Sequence, residues 1–427
     1  MSTTQPEEPS RNGRAGSSDP HGPALEPPDR LTLPFPEFIA LCGLLMSMAA
    51  MSIDIMLPSL PDIGASFAVA NRADLPLVVS AAMFGMATGQ LVWGPIADRR
   101  GRRPALLIGL SVFALATIAA ILAQSYPQLL AARFAQGVGA AVGRIIVTTV
   151  VRDLFVGRQM ARVMSMVMMV FILVPVLAPL LGQFIILVGT WRWVLSVLLI
   201  ASVTGFVWAG LRLPETRPEV GHGRQKFTLG DALRLVLRSR VTLGYGFASG
   251  FIHGVLVSHI ASSQAVFGEV YGMGRLFPLA FGGIAVAIAL ASFTNARLVH
   301  RLGMRRLSHT ALATFLVLSC VLALVSAVAG VPLWLALAGT AASFFLYGLI
   351  QSNFNTIAMQ PVGQAAGMAA SVTGSYLTAA GATFGTLIAR RIDDTILPLF
   401  TGFAALTFCA LLTILLVEGR RGMFRGE

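Results

Sequence analysis

Three charged side chains are placed inside long apolar segments, where a charge is costly and usually has a function. Asp54 is the one carboxylate clearly within such a segment, and Arg133 and Arg144 lie together within another. Charged groups in a membrane-spanning helix usually face a cavity or pair with one another. A carboxyl group that an arginine favours as the anion and an apolar environment favours as the acid can bind and release a proton. These residues are therefore the first candidates for proton-transfer chemistry.

Helix geometry constrains how the two arginines are placed. At about 100° per residue, Arg133 and Arg144 lie on one face of a helix, whereas Gly139 and Gly143 form a small-residue motif on another face that suits close packing. Two alternatives stay open at this point. Arg133 could extend to the outer membrane interface, and Asp54 could cap its helix end or form only a structural pair.

The segments that carry these residues belong to a chain with the composition of a membrane protein. Of its 427 residues, 56% are hydrophobic and 12% charged, and its mean hydropathy is +0.77. A soluble domain carries about twice that charged fraction. Apolar runs of about 18 residues or more recur along the chain, and each could cross a bilayer as a helix. They predict about twelve transmembrane helices, at 38–57, 75–96, 105–123, 129–151, 163–188, 194–213, 241–266, 276–293, 311–329, 331–350, 365–388 and 396–417.

The formal net charge of +12 bears on orientation and not on nucleic-acid binding. If both termini lie in the cytoplasm, most of the 31 Lys and Arg residues fall in cytoplasmic segments, as the positive-inside rule requires. We therefore predict a multi-pass protein of the bacterial inner membrane with both termini cytoplasmic. Its single lysine, Lys226, follows no glycine-rich phosphate loop, which excludes a P-loop ATPase.

The longest polar interval between apolar runs divides them six and six, which indicates two six-helix halves joined by a cytoplasmic linker. A weak internal repeat supports the division, because Gly-Arg-Arg at 101–103 follows the second run and Gly-Met-Arg at 303–305 follows the eighth. The linker includes a basic amphipathic stretch, 229–237, which is expected along the membrane surface. The predicted fold is all-α. Its predicted segments are a disordered cytoplasmic tail (1–35), the N-terminal half (36–213), the linker (214–240), the C-terminal half (241–417) and a second cytoplasmic tail (418–427).

The segment at 89–103 combines glycines with a tight turn and several charges. It reads G-Q-L-V-W-G-P-I-A-D-R-R-G-R-R and resembles the loop signature of the major facilitator superfamily, G-x-L-x-x-G-P-x-x-D-R-x-G-R-R, at every specified position. Its glycines allow close approach of a neighbouring helix, and Asp98 can meet a helix N-terminus or an arginine. The resemblance implies the major facilitator fold, with Asp98, Arg99 and Arg103 as a cytoplasmic latch. The whole gating loop comprises Gly89, Gly94, Asp98, Arg99, Gly101, Arg102 and Arg103.

The fifth apolar run contains Pro175, Pro179 and Gly182. Prolines inside a helix cost backbone hydrogen bonds, and in a transporter they typically mark a bend or a close-packed hinge. The alternative is a tolerated kink without function.

Four segments together resemble the bicyclomycin- and chloramphenicol-resistance (Bcr/CflA) branch of drug:proton antiporters within the superfamily. They are IDIMLPSLP at 53–61, RFAQGVGAA at 133–141, APLLG at 178–182 and QPVGQAAGMAAS at 360–371. Two departures stand out. The antiporter motif ends Gly182-Gln183 where the family usually has Gly-Gly, and Met46 stands where some related exporters carry a second acid. A single embedded acid argues against the export of doubly charged cations.

The resemblance implies proton-driven export of small amphipathic molecules by a monomer that needs no cofactor and no metal. Asp54 would be the proton-binding and substrate-linked acid, Arg133 its coupling partner, and Pro175, Pro179 and Gly182 an antiporter hinge. Arg144 is a further candidate for coupling. The candidates for the substrate cavity are Gln136, His253 and Asn353.

Two other readings compete with export. The first is a proton-coupled importer of a small metabolite on the same fold. The second, an enzyme embedded in the membrane, would need converging catalytic groups, and the sequence has neither a metal-spaced cluster nor a nucleophile motif. We therefore predict a transporter and not an enzyme.

Overall fold

The computed structural model describes residues 33–217 and 229–422, which fold into helices joined by short turns. Most of the predicted tail at 1–35 lies outside the described residues. The same is true of residues 423–427 of the second predicted tail, 418–427. The helices of the N-terminal half are α1 (Phe35–Asp54), α2 (Leu60–Ser66), α3 (Leu77–Arg100), α4 (Arg102–Ile121), α5 (Tyr126–Leu154), α6 (Gly157–Val188) and α7 (Trp191–Arg212). The linker and the C-terminal half contribute α8 (Leu229–Arg238), α9 (Arg240–Ser263), α10 (Phe277–Leu302), α11 (Met304–Val328), α12 (Leu333–Met359), α13 (Ala366–Ala389) and α14 (Leu397–Gly422).

Eleven helical stretches among the described residues are long and apolar enough to cross a membrane. The remaining long helix, α13, has 24 residues and no charged side chain, so only its lower hydropathy separates it from the others. Gly, Ser and Thr recur along α13, which packs on both α9 and α3. Small residues favour such close contacts between membrane helices. The predicted all-α fold is confirmed, with eleven spans and a twelfth helix of spanning length.

Close packing in the N-terminal half depends on glycines of α3 and α5. A Cβ atom on Gly85 or Gly137 would collide with a backbone carbonyl of the facing helix. The same is true of Gly143 against α1, and a Cβ on Gly139 would lie 2.5 Å from the backbone nitrogen of Phe113 in α4. These contacts confirm that Gly139 and Gly143 form a packing surface.

The two halves meet where α3 contacts α13 and where α6 contacts α10. We call the end of the bundle at the α3–α4 turn the basic end and the other one the opposite end. Among the described residues, the hydrogen bonds that join the halves lie at the opposite end and near the centre of the bundle. They are Arg72–Glu269 (3.1 Å), Asp74–Arg390 (2.6 Å), Ser80–Thr386, Ser375 to the Ala87 carbonyl (2.7 Å) and Gln90–Thr378 (2.9 Å).

The linker helix α8 lies against the basic end of the C-terminal half. Val236 packs there with Val362 and Ala369, whereas Leu233 and Leu237 are exposed. The amphipathic stretch predicted at 229–237 therefore forms a helix with one face on the protein. Its exposed leucines are suited to the membrane interface.

Candidate functional site

Asp54 is the last residue of α1, at the point where the helix passes into a 3-10 turn at Leu57–Ser59. Its side chain is only 4% exposed. Within the described part of the chain, no hydrogen bond or ion pair involves its carboxylate. Burial without a countercharge favours the protonated acid over the anion. The local arrangement therefore suits a group that holds a proton and releases it when its surroundings change.

Gly182 of α6 fixes the position of this turn. A Cβ atom on Gly182 would collide with the Ile55 carbonyl oxygen and would lie 3.3 Å from Pro58, so α6 can run directly against the end of α1. Pro175 and Pro179 lie inside α6, which continues through them as one helix, and each removes one backbone donor. A hinge at these prolines stays a prediction. Their helix contacts both α1 and α10, so a bend there would move the Asp54 turn relative to the C-terminal half.

Arg133 is fully buried, which excludes the alternative that it extends to the membrane interface. Its guanidinium donates to the carbonyls of Ser52 (2.8 Å) and Val78 (3.3 Å) and to the side chain of Gln136. The contact with Ser52 places Arg133 at the depth of Asp54, as predicted. The expected common cavity is not present, because backbone carbonyls of α1 and α3 and an amide occupy the guanidinium donors. A coupling role for Arg133 stays a prediction.

Arg144, near the centre of α5, has an exposed side chain, in contrast to Arg133. Tyr347 of α12 and His253 of α9 lie within electrostatic range of its charge. A hydrogen bond of 3.2 Å joins Nδ1 of His253 to the hydroxyl of Tyr347. The structure therefore brings one predicted coupling residue, Arg144, together with one predicted cavity residue, His253. The sequence did not single out Tyr347.

Gln136 and Asn353, the other candidates for the cavity, use their amides inside the protein. Gln136 is fully buried and donates to Thr117 at 2.7 Å. Asn353 is 2% exposed and donates to Asn295 at 2.6 Å. The structure brings neither of them together with His253. In this conformation both make structural contacts, and a role in substrate binding stays a prediction.

Arg102 is the centre of an ion network at the basic end. It donates to Asp98 (2.7 Å) and to Asp153 (2.9 Å), and the side chains of Arg102 and Asp153 are only 7% and 6% exposed. The latch expected from Asp98, Arg99 and Arg103 therefore has a different arginine at its centre. The reason is the turn at Gly101, since Arg102 begins α4 directly after it and its side chain reaches back to Asp98 near the end of α3. Arg99 is exposed, and Arg103 donates to a backbone carbonyl of α7.

The glycines of the same loop face different neighbours. A Cβ atom on Gly89 would lie 2.5 Å from the Val138 carbonyl oxygen of α5. One on Gly94 would lie 3.6 Å from the hydroxyl of Ser371 in α13. Gly89 therefore packs within the N-terminal half, whereas Gly94 faces the other half.

Glu215, which follows α7, completes the network and was missed by the sequence analysis. Its carboxylate accepts from the backbone N–H groups of Arg102 (2.8 Å) and Arg103 (3.2 Å) at the start of α4. An anion stabilises a helix N-terminus. Gly101, which precedes α4, has a φ of 101°, and a Cβ atom there would collide with Glu215. No local pattern could reveal this cap, because its carboxylate comes from a distant part of the chain.

The chain belongs to the major facilitator superfamily. The model of this family, described as Major Facilitator Superfamily, matches residues 39–386, which is most of the sequence. Membership agrees with the predicted fold and with the prediction of a transporter and not an enzyme. Transporters of this class carry a small molecule across a membrane between two helical halves.

Two relatives cover nearly the whole chain. A Bacillus subtilis protein named "Uncharacterized MFS-type transporter YdgK" is 30% identical over 84% of this chain and 89% of its own length. A Haemophilus influenzae protein named "Bicyclomycin resistance protein homolog" is 30% identical over 91% of this chain and 98% of its own length.

Solved structures share the fold at low sequence identity. The xylose transporter XylE from Escherichia coli, in a partially occluded inward open conformation, has a TM-score of 0.70 at 14% identity, covering 89% of this chain and 97% of that one. The human organic anion transporter MFSD10 has a TM-score of 0.64 at 18% identity, covering 90% of this chain and all of that one. These likenesses concern the fold alone.

Proposed function

We propose that this transporter exports small amphipathic molecules across the bacterial inner membrane in exchange for protons. The single observation that carries the proposal is the buried, unpaired carboxyl group of Asp54 at the end of α1. Gly182 of α6 holds that turn in place. A bend in α6 during alternating access would change the water access of Asp54, and with it the state of its proton.

The distribution of contacts between the halves supports a mechanism of alternating access. We place the basic end and both termini in the cytoplasm, on the positive-inside rule. The hydrogen bonds at the opposite end, such as Asp74–Arg390, would then close the outer side. In the outward-facing state these bonds would break. The Arg102 network would then meet the C-terminal half and act as the cytoplasmic gate.

The names of relatives support drugs or related metabolites as substrates. Besides the bicyclomycin resistance homolog, an Escherichia coli protein named "Multidrug resistance protein D" is 31% identical over 41% of this chain and 44% of its own length. Asp54 is the one carboxylate that the sequence places clearly inside an apolar run, which favours exchange of few protons for each molecule. Substrates with two positive charges are disfavoured for the same reason.

The test is a flux assay in everted membrane vesicles. The probe is the compound to which expression of the chain gives the greatest resistance in a sensitive host, in a panel that includes bicyclomycin. We expect the probe to release protons from acidified vesicles that contain the wild-type protein. The Asp54→Asn protein should show no such release, because an amide cannot carry a proton. Undiminished proton release by Asp54→Asn would refute the mechanism.

Asp62→Asn is the matched control for this assay. Asp62 lies in α2, close to Asp54 in sequence, but it is exposed. The same change of acid to amide should leave proton release at the wild-type level. Comparable amounts of folded protein in the three membranes, measured by fluorescence-detected size exclusion, make the comparison valid.

An importer that moves its substrate together with protons is the second candidate. A D-xylose-proton symporter shares the fold, with a TM-score of 0.68 at 14% identity. The direction of flux separates the two candidates. Uptake of the probe into everted vesicles that are acidic inside indicates antiport, whereas probe and protons that leave such vesicles together indicate symport.

A further inference from the structure

Arg144 is a cation at the centre of a membrane span with no protein anion beside it. Its side chain is exposed, and within the described residues no carboxylate forms an ion pair with it. Arg133, on the same helix, shows the contrast, since the carbonyls of α1 and α3 occupy its donors. A charge at the centre of a bilayer is costly unless it meets water or a partner. The position therefore requires a function.

Two polar groups within electrostatic range of Arg144 come from the other half of the protein. Tyr347 and His253 lie near the centres of α12 and α9 and are joined by a hydrogen bond of 3.2 Å. Neither carries a negative charge at neutral pH in this arrangement, since one is a phenol and the other an imidazole. The exposed cation is therefore within electrostatic range of two polar groups that can donate hydrogen bonds.

This combination has the chemistry of an anion site. A guanidinium presents a planar fork of N–H donors that matches the two oxygens of a carboxylate, and such charge-assisted bonds are about twice as strong as neutral ones. A tyrosine hydroxyl adds a further donor for the same group. Residues from both halves also suit a transport site, because the ligand is then passed between them as the halves move.

We infer that Arg144, with Tyr347, binds an acidic group of the transported molecule, so that the substrates are small amphipathic carboxylates. His253 positions the hydroxyl of Tyr347 through their hydrogen bond. The inference rests on the proposed transport function and specifies the substrate class of the same protein. It gives the two embedded side chains of opposite charge separate roles, because Asp54 binds the proton and Arg144 binds the substrate.

The test compares an aromatic acid with its amide, which has the same shape but no charge. Binding of 2-naphthoate and of 2-naphthamide to the purified full-length protein in nanodiscs is measured by scintillation proximity with tritiated probes. We expect the wild type to bind the carboxylate about tenfold to a hundredfold more tightly than the amide, since a hydrogen bond to a charged group contributes that much. Arg144→Gln should abolish this preference and leave binding of the amide unchanged. Arg144→Lys should restore part of it.

Two further variants separate an anion site from a general loss of positive charge or of structure. Arg275→Gln removes an arginine from a turn at the opposite end and should leave both affinities at the wild-type level. Tyr347→Phe should weaken binding of the carboxylate several-fold and that of the amide less. Size exclusion and thermal melting show that each variant is folded. Equal affinities of the wild type for acid and amide, or equal losses of both in Arg144→Gln, would overturn the inference.

The anion site and the proposed antiport can fail separately. If proton release depends on Asp54 and the wild type does not prefer the carboxylate, the inference is wrong and antiport stands. If 2-naphthoate binds through Arg144 and Asp54→Asn releases protons like the wild type, the anion site stands and proton antiport is wrong.

Discussion

The turn between α3 and α4 and the turn between α10 and α11 occupy equivalent places in the two halves, with the same backbone conformation but different charges. Gly101 and Gly303 both have a positive φ, of 101° and 76°, and each directly precedes the next helix. A carboxylate near the C-terminal end of the last helix of the same half reaches each region: Glu215 just after α7, and Glu418 within α14. Glu215 accepts from the backbone of α4, and Glu418 accepts from Arg305 of α11 at 3.0 Å.

The charged networks around these turns have diverged. In the N-terminal half, Arg102 lies between two aspartates and is almost completely buried. In the C-terminal half, Met304 stands at the position of Arg102, and Arg305 and Glu418 are 22% and 15% exposed. Glu418 also accepts from Tyr245 at 2.9 Å, in a network of neutral and charged groups.

The comparison separates a feature that both turns share, the glycine with positive φ, from one that differs between them, the buried ion network. A tight turn between antiparallel spans needs a residue with positive φ, and glycine supplies it in both halves. A buried ion network needs every member at once, because one missing partner leaves an uncompensated charge. That requirement is met only around Arg102, where we place the cytoplasmic gate.

The largest effect is expected for Arg102→Gln, because it leaves Asp153 buried without its partner. The free energy of unfolding in detergent should fall by about 3–5 kcal/mol, measured by denaturant titration of tryptophan fluorescence. Arg99→Gln, in the same loop but exposed, should change it by less than about 0.5 kcal/mol. Equal effects of the two substitutions would show that the network contributes little to stability.

A smaller loss is expected for Gly101→Ala. A left-handed backbone costs a non-glycine residue about 1–2 kcal/mol, and displacement of the Glu215 cap adds about 1 kcal/mol. Gly303→Ala tests the comparison, because its φ is also positive and its loss should be limited to the backbone contribution. The difference between the two losses, from the same titration, measures the cap. If Gly303→Ala is the more harmful, the cap at Glu215 is not the distinguishing feature.

The smallest effect is expected for Arg305→Gln, at about 1 kcal/mol. The pair with Glu418 is partly exposed, so water can solvate the carboxylate, and Tyr245 still donates to it. The double-mutant cycle with Glu418→Gln isolates the pair itself. A coupling energy as large as that between Arg102 and Asp153 would contradict the asymmetry of the two halves.

Much of the fold could be predicted from the sequence because it depends on local patterns. Apolar runs of bilayer length predict spans wherever they occur, and the signature at 89–103 matches its family residue by residue. Eleven of the described helical stretches are candidate spans, and α13 coincides with the remaining predicted run as a helix of 24 residues. The glycines of α5 were correctly assigned to packing, since their spacing alone defines a helix face.

The site could be predicted only in part. Asp54 and Arg133 were expected to face one cavity, but the guanidinium of Arg133 donates to the backbone carbonyls of Ser52 and Val78 instead. Helix periodicity places Arg133 and Arg144 on one face of α5. It does not show which groups of neighbouring helices lie beside each arginine. Tyr347 carried no signal in the sequence, because its importance comes from its hydrogen bond with His253 of α9.

By itself, the sequence determined the all-α membrane fold and the family, because hydropathy and motif spacing are properties of neighbouring residues. The tertiary structure decided which arginine is enclosed and which is exposed between the halves. It also decided that Arg102, and not Arg99, pairs with Asp98 and Asp153. Those outcomes depend on hydrogen-bond partners from other helices, such as Ser52 for Arg133 and Asp153 for Arg102. The free energy of a buried charge depends on such partners. The sequence of one helix does not show which residues of other helices will be its partners.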